Sequence, residues 1–287
     1  RPSGARRRTA IFNTHRSDPC GFELVSRPAS TFGSIWVRPL RVLMMSAELL
    51  AVIDRDHPSD VARLNAALRL SGEARLAEHV PPHTFVGDIE GVKPGDCVLL
   101  MGINPKLNFD ENFRRVNIEL PSRCLSEFRR TGDQSALDDW MAFQMGYFLR
   151  EERNKRHFNK IGKWLGPRWF PGTWAEFEEK EAIQMVLHRH LVEVDAVQYF
   201  SHKAAIDTNL LVRLIQTDSA LAANMRMIEW LIAKIQPKWI QVNGKSNWEM
   251  MECLYGEGKM KLLNSGEKPG TEIKVGYLRF GEMRIPV

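Results

Sequence analysis

Short unbroken apolar runs alternate with amphipathic stretches along most of this chain. The pattern predicts strands buried on both faces, separated by helices that bury one. From Ser46 the period is helical. Ala47–Ile53 forms a first helix, and Ser59 caps a second with Val61, Leu64, Ala67 and Leu68 on one face. Val80-Pro81-Pro82 is a linker, and Phe85-Val86-Gly87-Asp88 is a short turn-bounded piece. The run Val98 to Met101 is the central strand; it stops at Gly102, and Asn104-Pro105 makes a turn. Ser135 begins a helix that continues to Arg150, with Trp140, Phe143, Met145, Tyr147 and Phe148 as core aromatics and sulfur. Thr173 and Glu176 form a capping box for a helix reaching His190. Val192 to Phe200 is a second strand. Asp218 caps a long helix whose stripe is Leu221, Met225, Ile228, Leu231, Ile232 and Ile235, and Pro237 ends it. Trp239 to Val242 is a third strand, followed by a helix from Ser246, and residues 273–280 and 283–287 read as one or two last strands. This order predicts an α/β protein: a three-layer α/β/α sandwich with a central, mainly parallel four-stranded sheet.

Composition divides the chain. Residues 1–44 hold eight arginines against Asp18 and Glu23, which puts +6 there and leaves −1 for the remainder of a chain whose net charge is +5. The basic character thus belongs to an amino-terminal segment with four prolines and no sustained period, expected to be disordered or non-native, with translation starting at Met44 or Met45. Residues 45–287 are expected to form one α/β domain. No apolar run approaches the roughly 18 residues that span a membrane. Cys20, Cys97, Cys124 and Cys253 are scattered without a CxxC pair, so neither a zinc site nor a disulfide framework is suggested, and a reducing, cytoplasmic setting fits. His188 and His190 are two apart, poor metal spacing on a helix, and read as helix-end residues favoured by the dipole. No metal and no cofactor is expected: no Walker loop, GxGxxG turn or GxSxG elbow is present.

In a parallel sheet, ligands bind beyond the carboxyl ends of the strands. Three such ends collect polar groups here: Gly102, Asn104 and Lys106; then Gln198, His202 and Lys203; then Asn243 and Lys245. The polar segment Asn108–Arg115, with Phe109 and Phe113, could close over a ligand at that edge. Elsewhere, Arg153–Trp164 is the most basic part of the body, and Trp164, Trp169, Phe170 and Trp174 follow it closely. Basic residues with interleaved aromatics suit phosphate contact and base stacking, and equally suit a solvated helix face beside a packed aromatic turn.

The run Val98-Leu99-Leu100-Met101-Gly102-Ile103-Asn104-Pro105 resembles the first active-site motif of the uracil-DNA glycosylase superfamily. It is nearest the mismatch-specific branch, whose motif reads Gly-Ile-Asn-Pro-Gly. The segments Val197–Lys203 and Trp239–Lys245 resemble the superfamily's second and third strand ends. The resemblance implies hydrolysis of the N-glycosidic bond of a damaged base, flipped out of DNA into a pocket. It implies that Asn104 holds the attacking water, within a substrate-binding set of Gly102, Ile103, Pro105, Lys106, Phe109, Phe113, Gln198, His202, Lys203, Asn243 and Lys245. Phe109 or Phe113 would stack on the base and Gln198 would read its polar edge. The amide of Asn104 is expected to project from the lip of the middle strand into a concavity sized for one base. DNA is the implied partner. Lys106 stands where the family has glycine. The His-Pro-Ser-type motif that follows the family's fourth strand has no counterpart after His202, the last histidine, and is expected past Val287 or not at all. The alternatives are a catalytically inactive nucleic-acid or nucleotide-binding protein of the same fold, and a small nucleoside hydrolase-type enzyme using Asn104 and His202.

Overall fold

A computed structural model describes residues 46–107, 110–203, 205–264 and 273–287. The expectations for residues 1–44 and for Phe109 lie outside the described residues. Helix α1 (Ala47–Ile53) starts at Ser46, whose side chain accepts from the Leu49 amide. Helix α2 (His57–Ala67) is capped by Asp56, not by Ser59 as expected. Pro58 sits in the first turn, where its missing N–H costs nothing. Asp56 then accepts from the Ser59 amide (3.3 Å) and hydroxyl (2.7 Å), so Ser59 is a donor inside the helix.

Strand β1 (Val98–Gly102) is followed by a short helix α3 (Glu111–Arg114), which runs through a π turn at Arg115–Glu119 into α4 (Leu120–Thr131). Helix α5 (Gln134–Met145) stops short of the expected Arg150 and gives way to a 3-10 turn at Tyr147–Leu149. Next come α6 (Lys155–Trp169), α7 (Pro171–Ala175) and α8 (Glu179–His190). The expected capping box fails here: Thr173 turns its hydroxyl to His190 Nε2 at 2.9 Å, and α8 begins only after Glu178. His190 also stacks on Phe170 with ring centroids 4.0 Å apart. Burial pulls His188 and His190 below the usual imidazole range, so desolvation outweighs the dipole expected to favour their charge.

Strand β2 (Leu191–Asp195) is shorter than expected. Helices α9 (Thr208–Thr217) and α10 (Ser219–Ile235) lead to β3 (Trp239–Val242) and α11 (Lys245–Tyr255). The chain closes with β4 (Lys261–Asn264), β5 (Ile273–Val275), β6 (Tyr277–Phe280) and β7 (Met283–Pro286).

The mixed α/β architecture with a parallel sheet is as the sequence predicts. The sheet order is β2-β1-β3, both pairs parallel, with Leu100 opposite Glu193 on one side and Gln241 on the other. Among the described residues this parallel sheet has three strands where four were expected. The carboxy-terminal segments instead pair antiparallel as β4–β5 and β6–β7. The free edge of β2 is covered by extended chain running the opposite way: Val86 and Glu193 exchange both backbone hydrogen bonds, His83 N donates to Gln198 O, and Ala77 N donates to Phe200 O. Pro81 and Pro82 lie within that cover, which keeps the edge from offering a full ladder to another chain.

Val98 to Met101 are wholly buried, as a central parallel strand requires. Val98 and Leu100 pack with Phe148, Phe158, Leu165, Phe170, Ile183 and Leu187 from the turn after α5 and from α6 and α8. Burying a side chain of this size is worth about 1.5–3 kcal/mol. Helix α1 packs on α10, and α9 packs on α10 and α11.

Candidate active site

The carboxyl end of β1 is fixed from both sides. On the β3 side, Asn243 N and Asn247 Nδ2 both donate to the Met101 carbonyl, at 2.9 and 2.7 Å. On the β2 side the chain after each strand continues as a parallel zipper. Ala196 N donates to Gly102 O (3.0 Å), Val197 N to Ile103 O (2.8 Å), Ser201 N to Pro105 O (3.1 Å), and Leu107 N to Ser201 O (2.8 Å). The first two expected motifs are therefore adjacent, and Asn104 lies between them.

Asn104 is buried, with 9% of its surface exposed. Its Nδ2 donates to Ser201 Oγ at 2.7 Å and lies 3.4 Å from Tyr199 O, while Ser201 Oγ donates onward to Lys203 O at 3.0 Å. The amide stands at the strand lip as expected, but its N–H side is turned in and holds the two loops together. Its Oδ1 finds no hydrogen-bond partner among the described residues. A buried amide oxygen without a donor is unusual and calls for an explanation.

At the end of β1, two residues before Asn104, Gly102 faces a group that the sequence reading passed over. Asp195 closes β2, paired with Gly102, and its carboxyl lies across that glycine: a Cβ there would fall 2.1 Å from Asp195 Oδ1. Gly102 is thus needed for room. Burial pushes the Asp195 carboxyl up to about 7, and raises Glu193, two residues back on the same face, well above the usual carboxylate range. The signal was present in the sequence: charged residues at alternate positions of an otherwise apolar strand, Val192-Glu193-Val194-Asp195.

The remaining expected residues divide. Gln198 is wholly buried, neither side-chain atom has a hydrogen-bond partner among the described residues, and its carbonyl accepts from His83 N. Lys106 is exposed, and its backbone bridges to Ser201. Phe113 is half-buried and packs with Leu107 against Val80, Ile118 and Phe200, so its ring is committed to a small hydrophobic cluster. His202 is half-buried, and Lys203 is exposed with its amide donating to Glu73 O. Asn243 is half-buried with its Oδ1 3.5 Å from Gln241 Nε2, and exposed Lys245 pairs with Glu249 at 3.8 Å. Ser201 and Asn247 were also missed; nothing in their local sequence marks them.

Among the described residues no group of His, Cys, Asp and Glu could hold a metal ion, and no helix is long and apolar enough to cross a membrane. Comparison with known proteins by family model, by sequence and by structure returns no match.

Proposed function

We propose that this chain is a uracil-DNA glycosylase-like protein that hydrolyses the N-glycosidic bond of a base in DNA. The observation that carries the reading is Asn104 Oδ1, a buried acceptor at the carboxyl end of the middle parallel strand, left without a donor while the other side of the same amide is held by Ser201. An acceptor fixed in this way can hold a water by one of its hydrogens. Asp195, whose carboxyl lies over Gly102, two residues before Asn104, is poised near neutrality to take that water's proton as the oxygen bonds to the sugar carbon. The base leaves with the electron pair of the broken bond. Gln198 reads the edge of the flipped base and Lys106 offers positive charge to it. The reading brings with it a fourth parallel strand, helical layers on both sheet faces, DNA as partner and a cytoplasmic setting.

A second reading, binding without hydrolysis, is favoured by the work that Asn104 does between the loops and by Lys106 in place of the family's glycine. One assay separates them: the chain is incubated with uracil-containing single strands and duplexes, and with free nucleosides, and released base is measured by chromatography. Release from oligonucleotides that disappears in Asn104→Ala supports the glycosylase. Retention of labelled strands with no release supports the binder, and release from nucleosides alone supports the small-substrate alternative.

A further inference from the structure

Helix α6 carries Lys155, Arg156, Lys160, Lys163 and Arg168 and no acidic residue. Its inner face is set by two glycines. A Cβ on Gly162 would lie 2.9 Å from Ile183 Cγ2, and one on Gly166 would lie 2.1 Å from Trp174 Cε3, so the helix lies hard against α8 and α7. With Phe158 and Leu165 buried on that side, the rotation of α6 is fixed. Arg156, Lys160, Trp164 and Arg168 then face outward at four-residue steps, about 6 Å apart along the axis.

Two indoles of α6 are open, Trp164 at 43% exposure within that outward row and Trp169 at 45% at the helix end, on the side of Leu165. Trp169 leans on Trp239 with centroids 4.8 Å apart, and the Lys238 ammonium lies 5.8 Å from its ring centre. Lys155 and Lys163 are paired with Glu151 and Glu179. Arg156, Lys160, Arg168 and Lys238 make no ion pair among the described residues. Cations that no carboxylate pairs among the described residues thus stand beside two exposed indoles.

The two ends of this stripe are placed. Asn117 Nδ2 donates to Phe113 O and to Glu152 O, just before α6, and Phe113 and Leu107 pack against the same cluster of Val80, Ile118 and Phe200. Trp169 meets Trp239 at the start of β3. Helix α6 therefore runs from the segment that Asn117 holds to the amino end of β3.

We propose that this stripe binds single-stranded DNA, with bases stacked on Trp164 and Trp169 and phosphates on Arg156, Lys160, Arg168 and Lys238. Unpaired bases offer the faces that indoles stack on, which a duplex covers. A lipid surface fits less well, because the apolar face of α6 is spent on α8 and only two separate indoles remain. The inference deepens the reading above and takes its choice of DNA from it.

The test is quenching of tryptophan fluorescence in the full chain by an oligothymidylate strand of about 15 nucleotides, titrated at about 50 and 200 mM salt. Trp164→Ala and Trp169→Ala should each weaken binding about tenfold. Lys160→Gln with Arg168→Gln should reduce the slope of log affinity against log salt by about 1.4. All four side chains are exposed, and circular dichroism checks that the variants fold. Unchanged affinity in these variants overturns the proposal, as does tighter binding of a matched duplex, or binding to phosphatidylserine vesicles that the same variants abolish. Base release is read separately: strand binding that responds to the variants, with no release by the parent chain, keeps this surface and discards the glycosylase.

Discussion

The carboxyl of Asp195 lies directly over Gly102, so that a methyl group on Gly102 would stand 2.1 Å from Oδ1. Only a turn of the buried Asp195 carboxyl would relieve that overlap, because it is the Cβ itself that collides. Gly102→Ala should therefore destabilise the fold by about 1–3 kcal/mol, the usual cost of overfilling a packed site. Urea unfolding measures it. Asp195→Ala makes room, so the double variant should lose less than the sum of the single ones; strict additivity would mean that the two side chains do not meet.

The same carboxyl should give stability an unusual pH dependence. Its folded value is raised, to about 7 from 3.8, so between about pH 4 and 7 the unfolded chain has released a proton that the folded chain retains. Stability therefore falls as pH rises through that window, by up to about 1.4 kcal/mol per unit from Asp195, and the raised Glu193 beside it adds to the fall. His57 acts in the opposite direction. Burial lowers it to about 4 from 6.5, with Nε2 3.1 Å from Ile53 O, so stability falls as pH drops below about 6. The two slopes oppose each other between pH 4 and 6, and single variants unmask them. Asp195→Asn should gain stability relative to the parent progressively from pH 4 to 7, and His57→Gln should make the acid limb shallower, His83, which burial also lowers to about 4, keeping part of it. Denaturant midpoints at half-unit pH intervals follow both.

Asn104 carries two roles on two atoms, and they can be measured apart. Removing Nδ2 breaks the bond to Ser201 and frees the zipper between residues 102–107 and 195–201. Asn104→Ala should cost about 1–3 kcal/mol of stability. Ser201→Ala removes the same bond but leaves Oδ1 in place. If Oδ1 holds the attacking water, Ser201→Ala should keep much of the base release that Asn104→Ala loses by about a hundredfold or more. Equal losses in the two variants would assign Asn104 to loop geometry alone.

Strand β1 was legible because it crosses a core buried on both sides, and β2 and β3 because short runs rich in apolar residues stand between helices, although β2 carries Glu193 and Asp195 and β3 carries Gln241. The Asp218 cap was legible because it reports on the backbone two and three residues away. What escaped depends on contacts distant in sequence. Helix α6 reads poorly, with Gly162, Gly166 and Pro167 in its second half, and the glycines make sense only once Ile183 and Trp174 are seen against them. Helix α4 buries little beyond Pro121, Cys124 and Leu125, too narrow a stripe to reveal a period. Thr173 looked like a cap until His190, seventeen residues on, claimed its hydroxyl. Of the candidate site, the Gly102–Lys106 turn could be read locally. Its juxtaposition with Asp195 and Ser201 could not, since it requires the parallel register of β1 and β2.

Asp218 is both a helix cap and half of an ion pair, and the two contributions are separable. Its Oδ1 accepts from Ala220 N at 2.9 Å and Leu221 N at 3.1 Å, closing the start of α10. Its Oδ2 pairs with Arg63 of α2, which also reaches Asp60. Burial works to raise the Asp60 carboxyl, and Arg55 and Arg63 together overrule it and hold the group below its ordinary value. Asparagine caps a helix as well as aspartate but cannot pair with Arg63. Asp218→Asn should therefore cost about 1 kcal/mol or less, because Arg63 is partly exposed and its attraction is screened. Asp218→Ala should cost about 2 kcal/mol, since it loses the cap as well. Raising salt should shrink the asparagine penalty and leave the alanine–asparagine difference standing. A difference that vanished in salt would mean that charge, not the cap, starts α10.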